Sequence, residues 1–164
     1  IKLAHHGEMI FCSEPVRNAL ARRYARALAA VGRRAPGTSC IGLLAAEVSA
    51  KGNVNVVDGA LMLTTDNYIP VDSSHEALLA CHLVAGDRCF IKPLHYDAED
   101  HLLPDFVLTD TGVSDTYLEV FGMNTPEYVQ RKREKLRLYA DQGKRLWSWE
   151  AHAEAVWPAL PIPS

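Results

Sequence analysis

PDFVLTDTGVSDTYLEVFG, residues 104–122, decides how the chain is read. PDFVLTD and TYLEVFG are rich in β-branched, aromatic and aliphatic residues, and Gly112, Ser114 and Asp115 lie between them, so the stretch predicts two short strands joined by a turn. Strand side chains alternate faces, which groups Asp105 with Val107 and Thr109, and Tyr117 with Glu119 and Phe121. A hairpin that pairs residues whose numbers sum to an even value points Asp105 and Glu119 into the same space. Two close carboxylates repel unless one takes a proton or a cation sits between them. Hard oxygen ligands of this kind suit Mg²⁺ or Mn²⁺ better than zinc. The same residues also fit a plainer reading, an Asp at a strand start and a Glu on a solvated face.

Downstream, Thr125 caps and Pro126 opens a predicted helix, TPEYVQRKREKLRLYADQG, closed by Gly143. Tyr128, Lys132, Lys135 and Tyr139 share one face of it, and Val129, Leu136 and Ala140 form the adjacent apolar stripe. KRLWSWEA then predicts a strand with Trp147 and Trp149 on one side, followed by a Pro-rich irregular tail at 152–164. Upstream, SSHEALLACHLVAG predicts a helix ending at Gly86. Its Ser73-x-x-Glu76 matches a capping box, in which Glu76 would bond the backbone N–H of the cap residue. CFIKPLHY predicts a strand whose Pro93 suits an edge or a bulge, and YDAEDHL a solvated acidic loop.

The first part of the chain is less legible. Residues 1–13 give no assignment, and His5, His6 and Glu8 suit a mobile polar terminus better than a metal site. Ser13, Glu14 and Pro15 begin a predicted helix whose stripe is Val16, Leu20, Tyr24, Ala27, Leu28 and Val31. Its arginines fit either a solvated outer face or a nucleic-acid backbone. APGTS at 35–39 breaks the chain, residues 41–49 fit a short helix or strand, and VNVVDGALMLTT predicts a hairpin-like pair around Asp58-Gly59.

With 164 residues, 48% hydrophobic and 23% charged, the chain suits one soluble domain with a real core. It holds no run of about eighteen apolar residues, which argues against a membrane span. It begins at Ile1 with no secretory signal, as expected of a piece of something longer. The four cysteines lack paired or zinc-type spacing and suit reduced thiols of a cytoplasmic protein. The net charge of −3 hides a pattern: residues 1–51 carry eight Lys/Arg against three Asp/Glu, 52–126 two against twelve, and 127–164 seven against five. An acidic middle between basic flanks fits a cation-binding centre framed by phosphate-facing surfaces, and equally a set of solvated faces.

The order helix, strand, strand, strand, helix, strand, with Pro104-Asp105 opening the second strand and Glu119-Val120-Phe121 in the third, resembles the restriction-endonuclease-like PD-(D/E)XK superfamily. Lys135-Leu-Arg-Leu-Tyr139 has the spacing of the QxxxY motif of its RecB-like branch, with Lys in place of Gln. FIKPL, PDFVLTD, YLEVFGM and EYVQRKREK also resemble an uncharacterised group of bacterial, mobile-element-associated proteins. The resemblance implies an α/β (α+β) fold: an αβββαβ core at 73–151 with a mixed central sheet flanked by helices. Residues 1–72 would be a helical and hairpin elaboration and 152–164 a tail, all in one compact domain. It also implies that Asp105, Glu119 and the carbonyl of Val120 hold Mg²⁺ or Mn²⁺ against a scissile phosphate, with Glu76 completing the shell directly or through water. The superfamily lysine that follows the Glu by two residues is Phe121 here, which carries no charge. Lys132, Lys135 and Lys92 are the candidates for its role, and Lys92, Tyr128, Arg131 and Tyr139 those for nucleic-acid contact.

These implications lead to a metal-dependent nuclease, acting on DNA rather than RNA, with the lysine role moved to the following helix. The alternative is a nuclease-like module without catalysis, serving as a nucleic-acid or protein contact surface among other domains of a parent protein or in a homo-oligomer. A third is an unrelated α/β domain with Asp105 and Glu119 on opposite sheet faces.

Overall fold

The computed structural model describes residues 9–33, 37–95, 102–154 and 156–164. The expectations for His5, His6 and Glu8 and for the acidic loop at 96–101 lie outside them. The described residues form four helices and two mixed sheets, and the chain divides between Asp72 and Ser73 into two compact units, where its length suggested one domain.

In the first unit, β1 (Ile10–Cys12) leads to α1 (Glu14–Arg23), α2 (Ala25–Arg33), β2 (Thr38–Val48) and β3 (Val54–Thr65). The sheet order is β1-β3-β2, with β1 parallel and β2 antiparallel to β3. Two sequence expectations fail here. The single helix after Ser13 is broken at Tyr24, whose φ of −128° and ψ of 42° leave the helical region. The apolar spacing continues across the break, from buried Leu20 to buried Ala27 and Ala30, which is why periodicity did not reveal it. The turn at Asp58-Gly59 does not exist either. Both residues lie inside β3, paired with Ala45 and Leu44. A Cβ on Gly59 would come within 2.8 Å of Leu44 Cδ2 and 3.0 Å of the Leu43 carbonyl oxygen, so this glycine permits close approach and does not turn the chain. The chain turns at Ser49–Asn53, where the Ser49 N–H donates to the Asn53 carbonyl and Gly52 takes a φ of 80°. A register shift at Ala45/Ala46 leaves Val57 as a bulge on β3.

In the second unit the order is α3 (Ser74–Ala85), β4 (Phe90–Ile91), β5 (Phe106–Leu108), β6 (Thr116–Val120), α4 (Pro126–Asp141) and β7 (Arg145–Trp149), the αβββαβ order expected. The strands lie side by side as β4-β5-β6-β7, with β4, β5 and β6 antiparallel in turn and β7 parallel to β6. All three residues of β5 are buried, as are Leu118, Glu119 and Val120 of β6, in keeping with inner strands covered on both faces. β4 is shorter than CFIKPLHY suggested. Pro93, lacking an N–H, cannot continue a ladder, and Lys92 follows the strand instead of lying in it.

Ser73 and Thr125 cap their helices as the sequence suggests, whereas Ser13 stands at the N-cap of α1 without a side-chain cap bond. Ser73 Oγ accepts from the Glu76 N–H at 3.1 Å, and Thr125 Oγ1 from the Tyr128 N–H at 3.4 Å. The proposed apolar stripe of α4 does not form its inner face: Ala140 is exposed, Val129 and Leu136 are half-buried, and Tyr139 is the buried residue of the helix. The tail past β7 has no regular element among the described residues but is tied down. Trp157 packs against Trp149 and His82 at ring separations of 5.3 and 4.9 Å, and the Ser164 N–H donates to the Asp110 carbonyl at 2.9 Å. No helix among the described residues is long and apolar enough to cross a membrane. All four cysteines are free thiols.

Candidate functional site

The ladder between β5 and β6 pairs Phe106 with Leu118 and Val107 with Tyr117. The ladder ends there: the Asp105 N–H donates to the Leu118 carbonyl at 3.1 Å, one residue out of that register, so Asp105 enters β5 at an irregular step. The charge of Glu119 nonetheless acts on the Asp105 carboxyl, which sets the two acids near one another. The carboxylate of Asp105 is held by the Val120 N–H at 2.7 Å.

Glu119, 2% exposed, is anchored by α4. Lys135 Nζ lies 2.7 Å from its Oε1 and 2.8 Å from its Oε2, and the same ammonium donates to the Leu103 carbonyl at 2.8 Å. Tyr139, 1% exposed, donates its hydroxyl to Glu119 Oε1 at 2.6 Å. The spacing of Lys135 and Tyr139 accounts for this: one helical turn apart, both descend onto the same carboxylate.

A second acidic group enters from α3. Glu76, 5% exposed, accepts from Ser73 Oγ at 3.1 Å and pairs with Lys92 Nζ at 3.0 Å. Capping explains its backbone, whereas its carboxylate pairs with an ammonium sixteen residues away. Lys92 also lies over the Phe106 ring, 4.9 Å from its centre.

Burial, then the charges of Glu76 and Glu119, pushes the Asp105 carboxyl up to about 7, against the opposing effects of the Val120 N–H and Lys92. Burial also raises Glu119, while Lys135, Tyr139 and Lys92 favour its ionised form. The Tyr139 hydroxyl is raised by burial and by the charge of Glu119, so it stays a donor. Tyr128 is raised by burial and then by the charge of Asp105.

Not every candidate joins this group. Lys132 is committed to Glu150 and lies over the Phe121 ring, 4.7 Å from its centre. Tyr139 is too deeply buried to touch a nucleic acid and acts on Glu119 instead. Lys92 is inward-facing, with its side chain 12% exposed and ion-paired. Arg131 is exposed and lies over the half-buried Tyr128, 6.0 Å from its ring centre. Phe121 is buried against Tyr128, so the position where the resemblance implies a lysine carries no charge. The roles of Glu150 and of the Leu103 carbonyl carried no sequence signal, since each partner lies many residues from its lysine.

The family described as Protein of unknown function (DUF1173) matches residues 1–152. The chain belongs to the DUF1173 family. No curated protein and no solved structure matches it. The DUF1173 match therefore leaves the chemistry of the site to its own residues. Three carboxylates face two ammonium groups, an excess of negative charge carried on hard oxygens, and that suits a divalent ion such as Mg²⁺ or Mn²⁺. Among the described residues no group of three or more His, Cys, Asp or Glu is placed so that together they could hold a metal ion. An ion held by Asp105 and Glu119 would need water or substrate oxygens for the rest of its shell, the usual manner of Mg²⁺.

Proposed function

We propose that this chain is a metal-dependent phosphodiesterase of the PD-(D/E)XK nuclease type, acting on DNA, in which Lys135 takes the part of the missing motif lysine. The observation that carries this reading is the Lys135 ammonium within 2.7 Å of Glu119, whose charge acts on Asp105. The αβββαβ order and the half-buried setting of Asp105 support it.

Asp105 and Glu119 would hold the ion, with the Val120 carbonyl and Glu76 as further candidates. A divalent ion bound there would lower the pKa of a water molecule and offset charge on the phosphate. Lys135, which keeps 30% of its side chain exposed where Tyr139 is buried, is the group able to turn toward a phosphate oxygen and stabilise developing charge. Tyr139 keeps Glu119 in one rotamer while that happens. Tyr128 and Arg131, farther along the same helix, offer a ring and a cation to the nucleic acid.

Asp105→Asn and Glu119→Gln preserve shape while removing charge. Each is expected to abolish Mg²⁺-dependent cleavage of DNA with the circular dichroism spectrum unchanged. Robust cleavage by Asp105→Asn would end this reading.

Phe121 and the ion-paired burial of Glu76 and Glu119 favour a second reading, a nuclease-like module that has lost catalysis and binds nucleic acid or protein. It expects no Mg²⁺ or Mn²⁺ uptake in calorimetry. A one-site isotherm that disappears in Glu119→Gln counts against it.

A further inference from the structure

Lys135 and Lys92 both pair with a carboxylate of the site, but their surroundings differ. Lys135 leans on Glu119 alone, is shared with the Leu103 carbonyl, and keeps 30% of its side chain in solvent. Lys92 is enclosed, with 12% of its side chain exposed, against a Glu76 side chain that is 7% exposed. Its ammonium is 3.0 Å from Glu76 and lies over the face of Phe106, the residue that follows Asp105. The reach of its charge extends past Glu76, since it favours the ionised forms of both Asp105 and Glu119. One ammonium is thus paired with Glu76 and lies against the residue that follows Asp105, which is the position of a counter-ion.

We propose that the Lys92 ammonium is the resident cation of this site, so that a divalent ion loads only against its charge and in competition with it for Glu76. This rests on reading Asp105 and Glu119 as a metal pair. The physical reason is charge balance. With both lysines charged and Asp105 ionised, the three carboxylates retain a single excess negative charge, and a divalent ion entering beside Lys92 meets a like charge a few ångströms away. Without Lys92 the same oxygens present a deeper negative potential to the ion. An enclosed, buried carboxylate loses stability when its partner leaves, so the lysine also keeps the metal-free protein folded. The device makes the site stable while empty of metal and selective for an ion whose binding outweighs the lost pair.

The test compares Mn²⁺ binding by titration calorimetry in the wild type, Lys92→Met, Lys92→Gln and Lys92→Arg. Both neutral variants are expected to bind Mn²⁺ roughly tenfold or more tightly than the wild type, the scale of removing one charge at close range. Lys92→Arg, which keeps the charge, is expected to bind no more tightly than the wild type. Thermal unfolding gives a second readout: Mn²⁺ should raise the melting temperature of Lys92→Met by more than it raises that of the wild type. If Lys92→Met does not fold without metal, Lys92→Gln keeps a hydrogen-bond donor against Glu76, and folding of either variant rescued by Mn²⁺ supports the inference. Equal or weaker binding in the neutral variants overturns it and leaves the metal pair standing. Absence of binding in all four proteins overturns both.

Discussion

Asp105 is a carboxyl that the fold makes hard to ionise. Its N–H is spent on Leu118, its carboxylate leans on the Val120 N–H, and the charges it faces from α3 and β6 are those of Glu76 and Glu119. Because its folded pKa is raised from 3.8 to about 7, the folded chain holds a proton that the unfolded chain has already lost across that window. Its contribution to stability is therefore complete below 3.8 and is lost as pH rises through about 7. Asn keeps an oxygen for the Val120 N–H but cannot titrate. In chelator, the stability advantage of the wild type over Asp105→Asn should shrink steadily across this window, as read from urea unfolding at a series of pH values. A difference that stays constant, or grows with pH, would show that Asp105 ionises in the fold as easily as it does in water. Glu119 illustrates the opposite arrangement. It is more deeply buried, yet Lys135 and Tyr139 put a cation and a hydroxyl donor directly on its carboxylate, where Asp105 has the Val120 N–H.

At the scale of elements, Gly52 and Gly59 of the β2–β3 ribbon carry different duties, and only Gly52 turns the chain. Gly52 has a φ of 80° with open space around it, so a side chain there meets no neighbour but must enter the left-handed region. Gly52→Ala is expected to cost about 1–2 kcal/mol in urea unfolding, with no change in any property of the second unit. An unchanged midpoint would mean that the turn at Ser49–Asn53 relaxes to another form. The sequence misled at this place because Asp-Gly is a strong hairpin signal, and nothing local distinguishes a turning glycine from one that admits Leu44. Caps and Pro/Gly boundaries of α3 and α4 were legible, since their determinants lie within four residues of each other. So was the stripe Tyr128, Lys132, Lys135 and Tyr139, which all reach β6 or the residues that close the site. Which lysine meets which carboxylate was not legible. Lys132 and Lys135 differ by one turn of the same face, and what separates them is Glu150, the residue after β7, which takes Lys132. The tail has three prolines, which predict irregular structure, and its described residues past β7 form no helix or strand. Its anchors, Trp157 on Trp149 and Ser164 on Asp110, are contacts between distant residues that no spacing rule contains.

For the whole molecule, the division at residues 72 and 73 assigns charge and chemistry unequally. Residues 1–72 carry eight Lys/Arg against six Asp/Glu, and 73–164 carry nine against fourteen. Every residue of the candidate site belongs to the second, acidic unit, whose net charge alone would repel a phosphate backbone. The nuclease reading therefore places the burden of substrate affinity on a bound divalent ion and on Lys135, Arg131 and their neighbours on α4, more than on a broad basic surface. The second unit also has its own core, from Leu79 and Leu83 through Phe106, Leu108 and Leu118 to Tyr139, all at most 1% exposed. It is longer than the ~60-residue domains that are marginal by size alone. A chain comprising residues 73–164 is expected to unfold cooperatively and to bind Mn²⁺ with an affinity within about threefold of the full chain, the scatter usual for independent sites. Matching isotherms together with a sharp thermal transition would show that the site depends on this unit's packing alone. A fragment that folds cooperatively but has lost Mn²⁺ binding would instead show that the first unit supplies a group or a field the site requires. One that never folds would mean that the core from Leu79 to Tyr139 falls short of offsetting the chain entropy without residues 1–72.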